Sequence, residues 1–155
     1  MRATADEKKR RRRRYPDTAE STGKHLVMTE LVRRGFEAEF AGASYEKHDM
    51  VVQARGLRPK PIRIKTVHSA PWYVRRDLFA KRADQVTVYV LLGAETATPA
   101  RFFVVKNSDL AARFRQPPTW KAFGFIDINS VEQYEDNWDI LKSASETSNT
   151  KGGAT

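Results

Sequence analysis

The stretch Pro61-Ile62-Arg63-Ile64-Lys65-Thr66 carries the pattern on which the fold prediction depends. Apolar and charged side chains alternate along it, which is typical of a strand with isoleucines on one face and the two cations on the other. A lysine on a sheet face needs an acidic partner. A neighbouring strand should therefore carry one.

That second strand is predicted over residues 48–54, His-Asp-Met-Val-Val-Gln-Ala. A hairpin folded about Gly56-Leu57-Arg58-Pro59 places Asp49 opposite Lys65 and Val51 opposite Arg63. Side chains that lie opposite each other on paired strands are close enough to interact. The sequence thus predicts an acid and a base side by side on a rigid sheet.

The composition limits the class of protein. With 155 residues, the chain is long enough for one domain with its own core. It has no cysteine, which excludes disulfides, thiolate metal sites and a cysteine nucleophile and fits a reducing, cytoplasmic location. The longest mainly apolar run, residues 86–94, is far shorter than the ~18 residues of a membrane span. We therefore expect a protein without a membrane partner.

The positive charge is concentrated at the N-terminus. Residues 1–14 contain eight cations and two acids, a net charge of +6, which leaves +3 of the total of +9 for the rest of the chain. Because like charges repel and bury nothing, residues 1–14 are predicted to be a disordered basic arm when free. The arm is a candidate for sequence-independent phosphate contact or, equally, a solvated tail. Its candidate residues are Lys8, Lys9, Arg10, Arg11, Arg12, Arg13 and Arg14.

The first half of the domain is predicted to form a helix followed by strands. A helix is predicted from Asp17 or Thr18 to Arg34, since the first two residues suit a cap and Gly35 suits a stop. Residues 36–41 alternate and predict a strand. Residues 69–84 mix aromatic and cationic side chains without a clear period and predict a loop with a short helix.

The second half contributes a central strand, further strands and a last helix. Residues 86–92 are β-branched and apolar enough for a strand buried on both faces, and residues 101–106 predict another. A short helix over residues 109–115 and a short strand over residues 123–128 follow. The last helix is predicted to be capped by Ser130, with Val131, Tyr134, Trp138 and Leu141 at helical spacing. Residues 143–155 are predicted to be a disordered tail, and residues 15–142 an α/β domain with a central mixed sheet flanked by the first and last helices.

This order of elements resembles the core of the PD-(D/E)xK, or restriction-endonuclease-like, nuclease superfamily, especially its small prokaryotic members. The resemblance covers residues 17–106 and implies an α-β-β-β-(α)-β order and a DNA endonuclease. It is carried by Glu30-Leu31-Val32-Arg33-Arg34-Gly35, Lys47-His48-Asp49-Met50-Val51-Val52, Ile62-Arg63-Ile64-Lys65-Thr66 and Phe102-Phe103-Val104-Val105.

The resemblance also implies a catalytic site. In that superfamily, two carboxylates and a backbone carbonyl bind Mg²⁺, which activates a water, while a lysine positions or deprotonates that water. Asp49 matches the metal-binding aspartate, Lys65 the lysine and the carbonyl of Ile64 the backbone ligand. Glu20 on the first helix is the candidate for the second carboxylate, with Glu37, Glu39 and Glu46 as alternatives.

Two departures from the superfamily pattern leave two mechanisms open. Arg63 stands where the superfamily has Glu, Asp or Gln, and Lys24 stands where its first helix frequently has glutamate; a cation a few ångströms from Mg²⁺ is electrostatically unfavourable. In the first mechanism, Asp49 and a displaced glutamate still bind Mg²⁺ and Lys65 assists phosphodiester hydrolysis at a catalytic site that includes Arg63. In the second, Asp49 only pairs with Arg63 or Lys65, and the fold binds nucleic acid or protein without chemistry, since one carboxylate among cations is better suited to binding a phosphate.

Aromatic and cationic residues follow the lysine strand. Trp72 and Tyr73, close to Arg75 and Arg76, are candidates to stack on bases and bind phosphates. The alternative is that these aromatic rings cover a sheet edge. DNA is the expected partner, and a homodimer is an open alternative to a monomer.

Overall fold

A computed structural model describes the backbone of residues 5–42 and 48–142, with side chains from Thr18 onward within these ranges. Two short 3-10 turns, Ala111–Arg113 and Glu132–Tyr134, accompany the helices and strands. Within the described ranges, every helix is too short or too polar to traverse a lipid bilayer. The elements are α1 (Ala5–Arg33), β1 (Glu37–Phe40), β2 (Met50–Gln53), β3 (Lys60–Val67), β4 (Trp72–Arg75), α2 (Asp77–Ala80), β5 (Val86–Leu91), β6 (Arg101–Lys106), α3 (Asn107–Leu110), β7 (Phe123–Ile126) and α4 (Ile128–Val131).

The centre of the fold is a mixed five-stranded sheet of order β1-β2-β3-β5-β6. Its β3–β5 pair is parallel, and the other three pairs are antiparallel. Strands β4 and β7 form a separate antiparallel ribbon, called the β4–β7 ribbon below. The predicted α/β fold with a central mixed sheet is therefore confirmed.

The hairpin between β2 and β3 has a different register from the predicted one. Met50 pairs with Ile62 and Val51 with Pro61, so Asp49 aligns beside Arg63 and not opposite Lys65. The turn lies earlier than predicted, since the Leu57 N–H donates to the Ala54 carbonyl at 2.9 Å. Because the shift is two residues and strands have a period of two, every side chain keeps its predicted face.

Each face of the sheet packs against its own core. On one face, Val27 and Leu31 of α1 pack with Ile62 and Ile64 of β3 and with Trp138 near the C-terminal end of the described chain. On the opposite face, the β4–β7 ribbon and the short helices α2, α3 and α4 form a second core. Its buried members include Trp72, Leu78, Tyr89, Phe103, Leu110, Ile126 and Val131. Strand β5 contributes to both cores, which confirms that it is buried on both faces.

Helix α1 lies unusually close to β3 at Gly23. A Cβ atom at this position would overlap the side chain of Thr66. The missing side chain therefore lets the helix backbone approach the strand. This approach brings Lys24, the next residue, and Glu20, about one turn earlier, towards the end of β3 that carries Lys65.

Helix α1 is longer than predicted, and the predicted loop contains a strand. The helix begins at Ala5 and not near Asp17, so Pro16 lies inside it. The order of residues 1–14 in the free protein stays a prediction. Residues 69–84 contain the strand β4 as well as the predicted short helix, α2. Buried and exposed residues alternate along β4, but its cations hid the alternation of apolar and polar residues in the sequence.

The predicted last helix is wrong beyond Val131. Asp127, and not Ser130, is the cap: its carboxylate accepts from the Ser130 N–H at 3.1 Å and from its hydroxyl at 2.7 Å. The chain leaves the helix at Glu135, which forms an isolated bridge to Phe103, and turns at Asp136 with φ of +53°. Val131 and Trp138 therefore belong to different cores, although their spacing suggested one helical stripe. The predicted tail, residues 143–155, lies outside the described residues.

Candidate functional site

The carboxylate of Asp49 is engaged on both of its oxygens. Oδ2 accepts a hydrogen bond from the peptide N–H of Ile64 at 2.8 Å, across the β2–β3 pair. Oδ1 lies 3.5 Å from Nζ of Lys24 on α1. The side chain of Asp49 is 17% exposed and that of Lys24 is 34% exposed, so the pair is partly shielded from water. Asp49 thus joins the helix to the sheet.

The partner of Asp49 is not one of the two predicted cations. We expected Arg63 or Lys65 on the neighbouring strand, but the ion pair is formed by Lys24 from the opposite layer. The close approach at Gly23 explains this, since it brings the next residue of α1 within reach of the strand end. Sequence spacing alone gives no signal for this contact.

Arg63 lies on the same face of β3 as Lys65 and is half-buried. Its Nε is buried and has no hydrogen-bond partner among the described residues. A buried donor without an acceptor is unfavourable, and a charged donor more so. Arg63 therefore has an unused hydrogen-bond donor beside Asp49.

The ammonium group of Lys65 lies in an environment that disfavours its charge. Burial lowers the pKa of Lys65 below the ordinary lysine value, and the nearby charge of Arg63 lowers it further. Asp49, Glu20 and Asp77 act in the opposite direction but do not compensate. A further anion placed at this group would favour its charged form.

Asp77 belongs to the site although the sequence gave no reason to select it. It is the first residue of α2, its charge influences Lys65, and its Oδ1 lies 3.6 Å from Nε of Arg75. Asp77 lies two residues after the end of β4, so its position at the site depends on how this strand packs on the sheet. Asp77 and Arg75 therefore link the site to the β4–β7 ribbon.

The described residues do not fit the magnesium site that the resemblance implies. Mg²⁺ requires near-octahedral oxygen ligands and is usually bound through carboxylates with free oxygens. Among residues 18–42 and 48–142, no cluster of three or more acidic, histidine or cysteine side chains could hold a metal ion. Asp49 already has a lysine and a peptide N–H on its two oxygens, so the cation that balances it comes from the protein.

The other predicted metal ligands are placed as follows. Glu20 is exposed and acts on Lys65 through its charge. Ile64 contacts Asp49 through its peptide N–H. Glu37 and Glu39 are exposed on the edge strand β1, and Glu46 lies outside the described residues.

The predicted nucleic-acid contacts divide into buried, exposed and undescribed residues. Trp72 is completely buried, and its indole N–H donates to the Val90 carbonyl at 3.1 Å, so it offers no ring to a base. For Trp72, covering the sheet is the correct interpretation. Tyr73, Arg75 and Arg76 are exposed. The side chains of residues 8–14 lie outside the described part of the chain.

Comparison with known proteins supports the fold. No protein-family model and no curated protein matches the chain. Among solved structures, the bacterial homing endonuclease I-Ssp6803I is similar with a TM-score of 0.55 and 12% identity, covering 85% of this chain and 95% of that one. Hjc, a Holliday junction resolvase from the archaeal hyperthermophile Archaeoglobus fulgidus, is similar with a TM-score of 0.49 and 18% identity, covering 74% of this chain and 88% of that one. The homing endonuclease shows that this chain has a nuclease-like fold.

Proposed function

We propose that this chain is a nucleic-acid-binding member of the PD-(D/E)xK superfamily whose site binds a backbone phosphate with Lys24, Arg63 and Lys65. It is a catalytically weakened descendant of a Mg²⁺-dependent DNA endonuclease, and DNA is its expected partner. A nuclease-like fold by itself does not determine activity, so the proposal depends on the side chains at the site.

The ion pair between Lys24 and Asp49 carries this proposal. In the superfamily, the position of Lys24 frequently holds a glutamate that helps bind the metal; here an ammonium group lies 3.5 Å from the aspartate. The same substitution that removes a metal ligand therefore supplies a cation. With Arg63 in place of a second acid or glutamine, the site has one carboxylate, already paired with Lys24, and two further cations, Arg63 and Lys65, on β3.

These cations have unused capacity for an anion. Arg63 has a buried N–H without an acceptor, and the charged form of Lys65 is disfavoured by burial and by Arg63. A phosphate provides several acceptor oxygens and a negative charge, and charge-assisted hydrogen bonds to it are stronger than neutral ones. Phosphate binding would favour the charged form of Lys65 and place an anion beside Arg63, whose own Nε is buried.

The basic segment of residues 8–14 would add contacts that carry no sequence information. Seven adjacent cations release counterions from a polyanion, which makes affinity steeply dependent on salt. Replacing Arg10 to Arg14 by glutamine should flatten that dependence for any sequence. Retention of the full slope would assign the binding energy to the folded domain.

The affinity of variants for a labelled DNA duplex, measured by fluorescence anisotropy over a range of salt, tests the site. Lys24→Gln, Arg63→Gln and Lys65→Gln should each weaken binding, and the triple substitution should reduce the salt slope by about 0.9, the value for one lost phosphate contact. Lys106→Gln is the matched control, because Lys106 is 33% exposed and lies 3.6 Å from Asp84. Equal effects of all four substitutions would argue against a specific phosphate site.

A plasmid-nicking assay decides between binding and hydrolysis. We expect no nicking with Mg²⁺ or Mn²⁺ that depends on Asp49. Nicking that EDTA abolishes and that both Asp49→Ala and Lys65→Ala remove would replace the proposal with an active endonuclease, in which Asp49, Arg63 and Lys65 are catalytic.

A further inference from the structure

The β4–β7 ribbon has one buried face and one exposed face. Trp72, Val74 and Ile126 point into the second core and are fully buried. Pairing places Tyr73 opposite Phe125 and Arg75 opposite Phe123 on the other face. Tyr73 is 58% exposed and Phe123 is 48% exposed, and no element within the described ranges covers them. Exposed aromatic groups of this size commonly mark a binding surface.

Trp120 extends this exposed face. It is 38% exposed, and its ring centroid lies 6.0 Å from that of Tyr73 and 6.1 Å from that of Phe125. The loop that carries it is held by Gln116, whose side-chain amide donates to the carbonyls of Trp120 and Lys121 at 3.0 and 3.1 Å. The outer face, defined as Tyr73, Trp120, Phe123 and Phe125, is therefore a fixed group of neighbouring rings.

Cations surround these rings. The guanidinium of Arg75 lies 5.4 Å from the centroid of Phe123. Arg115 is bridged to Phe125 through its backbone, and its side chain is largely exposed. Arg76 and Lys121 are also exposed, whereas the nearby acids, Asp77 and Asp127, lie within 4 Å of Arg75 and Arg115. A ligand of this face should combine flat apolar rings with negative charge.

The ribbon adjoins the phosphate site. Lys65 pairs with Tyr89 of β5, and the ring of Tyr89 lies 5.5 Å from that of Trp72, which is on the same strand, β4, as Tyr73 and Arg75. A polymer bound at Lys65 can therefore continue across Arg75 towards Tyr73 and Trp120. This continuity favours a nucleic acid over a separate small ligand.

We infer that the outer face of the β4–β7 ribbon binds the unpaired bases of a single strand whose backbone passes through the phosphate site at Lys65. The inference deepens the proposed function and rests on it, because it names the class of nucleic acid that the site takes. Bases stack on aromatic side chains while cations follow the backbone, which is how single strands are bound without sequence preference. In a duplex, the faces of internal bases are already stacked and unavailable to these rings.

Anisotropy measurements with a labelled single strand and a blunt duplex of the same sequence test the inference. Tyr73→Ala and Trp120→Ala should each weaken single-strand binding about tenfold, the scale of base–aromatic stacking, and leave duplex binding unchanged. Phe40→Ala is the control, since Phe40 is 45% exposed on β1, away from the ribbon. Thermal melting establishes that each variant is folded.

Tryptophan fluorescence gives an independent readout. Trp72 and Trp138 are 0% and 2% exposed, so Trp120 is the tryptophan that a bound base can reach. We expect the single strand to quench emission in the wild-type protein and Trp120→Phe to remove this quenching while largely keeping affinity. Unchanged quenching in Trp120→Phe would contradict stacking at this ring.

The failures of the two proposals differ. The ribbon inference fails if the ring variants bind the single strand as tightly as the wild type does, or if they lose affinity for the duplex to the same extent. In either case the phosphate site stands if Lys65→Gln weakens the binding of both the single strand and the duplex. Ring variants that affect only the single strand while Lys65→Gln and Arg63→Gln have no effect would instead remove the phosphate site. If the ring variants change sedimentation from dimer to monomer and not DNA affinity, the outer face contacts a second copy and the inference fails.

Discussion

Replacing Asp49 by asparagine separates the binding mechanism from the hydrolytic one. If the three cations bind a phosphate, Asp49 repels that phosphate and occupies Lys24, so Asp49→Asn should tighten DNA binding. If Asp49 is instead a metal ligand, the same substitution abolishes metal-dependent nicking. Asparagine keeps an oxygen that can accept from the Ile64 N–H, so the local geometry is preserved.

The expected gain follows from Coulomb's law. A phosphate in contact with Lys24 or Lys65 would lie roughly 6 Å from the Asp49 carboxylate, where repulsion is about 0.7 kcal/mol in water and about 2.8 kcal/mol at an effective dielectric of about 20. Removing it corresponds to roughly threefold to a hundredfold tighter binding. Because Lys24 already contacts the phosphate in the wild type, the substitution adds no contact, and the salt slope should stay unchanged.

The same substitution should destabilise the free protein. The partly exposed Lys24–Asp49 pair, 3.5 Å long, contributes up to about 1 kcal/mol. The hydrogen bond from the Ile64 N–H, 2.8 Å long, loses about 1 kcal/mol when its acceptor is neutral. We therefore expect the free energy of unfolding to fall by about 1 to 2 kcal/mol, while DNA affinity rises.

Anisotropy titrations and denaturant unfolding of the same samples measure both effects. Asp84→Asn is the matched control, because it removes the same charge from an aspartate–lysine pair 3.6 Å long that is far more exposed. It should change affinity and stability little. Weaker or unchanged DNA binding by Asp49→Asn, relative to this control, would refute the phosphate-binding mechanism.

Four further predictions address the packing, the titration and the acid set of the site. Gly23→Ala should lower the free energy of unfolding by about 1 to 3 kcal/mol, because the added Cβ overlaps the side chain of Thr66. In a double-mutant cycle, Thr66→Ala should recover part of this loss. Additive losses would contradict the contact. Arg63→Gln should raise the pKa of Lys65 in a lysine-labelled NMR titration, because the charge of Arg63 lowers that pKa. The pKa of Lys65 is lower in the folded than in the unfolded chain, so the unfolded chain binds more protons at pH values between the two. The free energy of unfolding of the wild type should therefore rise with pH through this window relative to that of Lys65→Met. Parallel pH profiles of the two proteins would contradict this. Finally, the double substitution Lys24→Glu and Arg63→Glu should create Mn²⁺ binding that the wild type lacks, as measured by calorimetry. Adding Asp49→Ala should remove this binding. If the double variant does not bind Mn²⁺, more than two residues separate this site from a metal site.

Much of the central sheet is determined locally. Alternation along residues 60–67 and the β-branched run of residues 86–91 specify strands because one or both faces of each must be buried. These patterns also placed Arg63 and Lys65 on one face of β3, opposite the isoleucines that pack under α1, whereas Asp49 lies just before β2 and contacts Lys24 of α1. Strand β4 was missed because it is only four residues long and its exposed positions carry an aromatic and a cationic side chain, whereas its partner β7 was predicted as a short strand.

The charge balance of the site was decided by tertiary structure. The sequence identified Lys24 as a departure from an expected glutamate, but only the approach of α1 at Gly23 shows that this lysine pairs with Asp49. Likewise, the burial of Trp72 and the exposure of Tyr73 depend on which face of a short ribbon meets the sheet. The sequence by itself determined which residue types lie along each strand, because that depends on local periodicity. Which of those residues meet across layers depends on helix placement and strand register, which only the folded chain establishes.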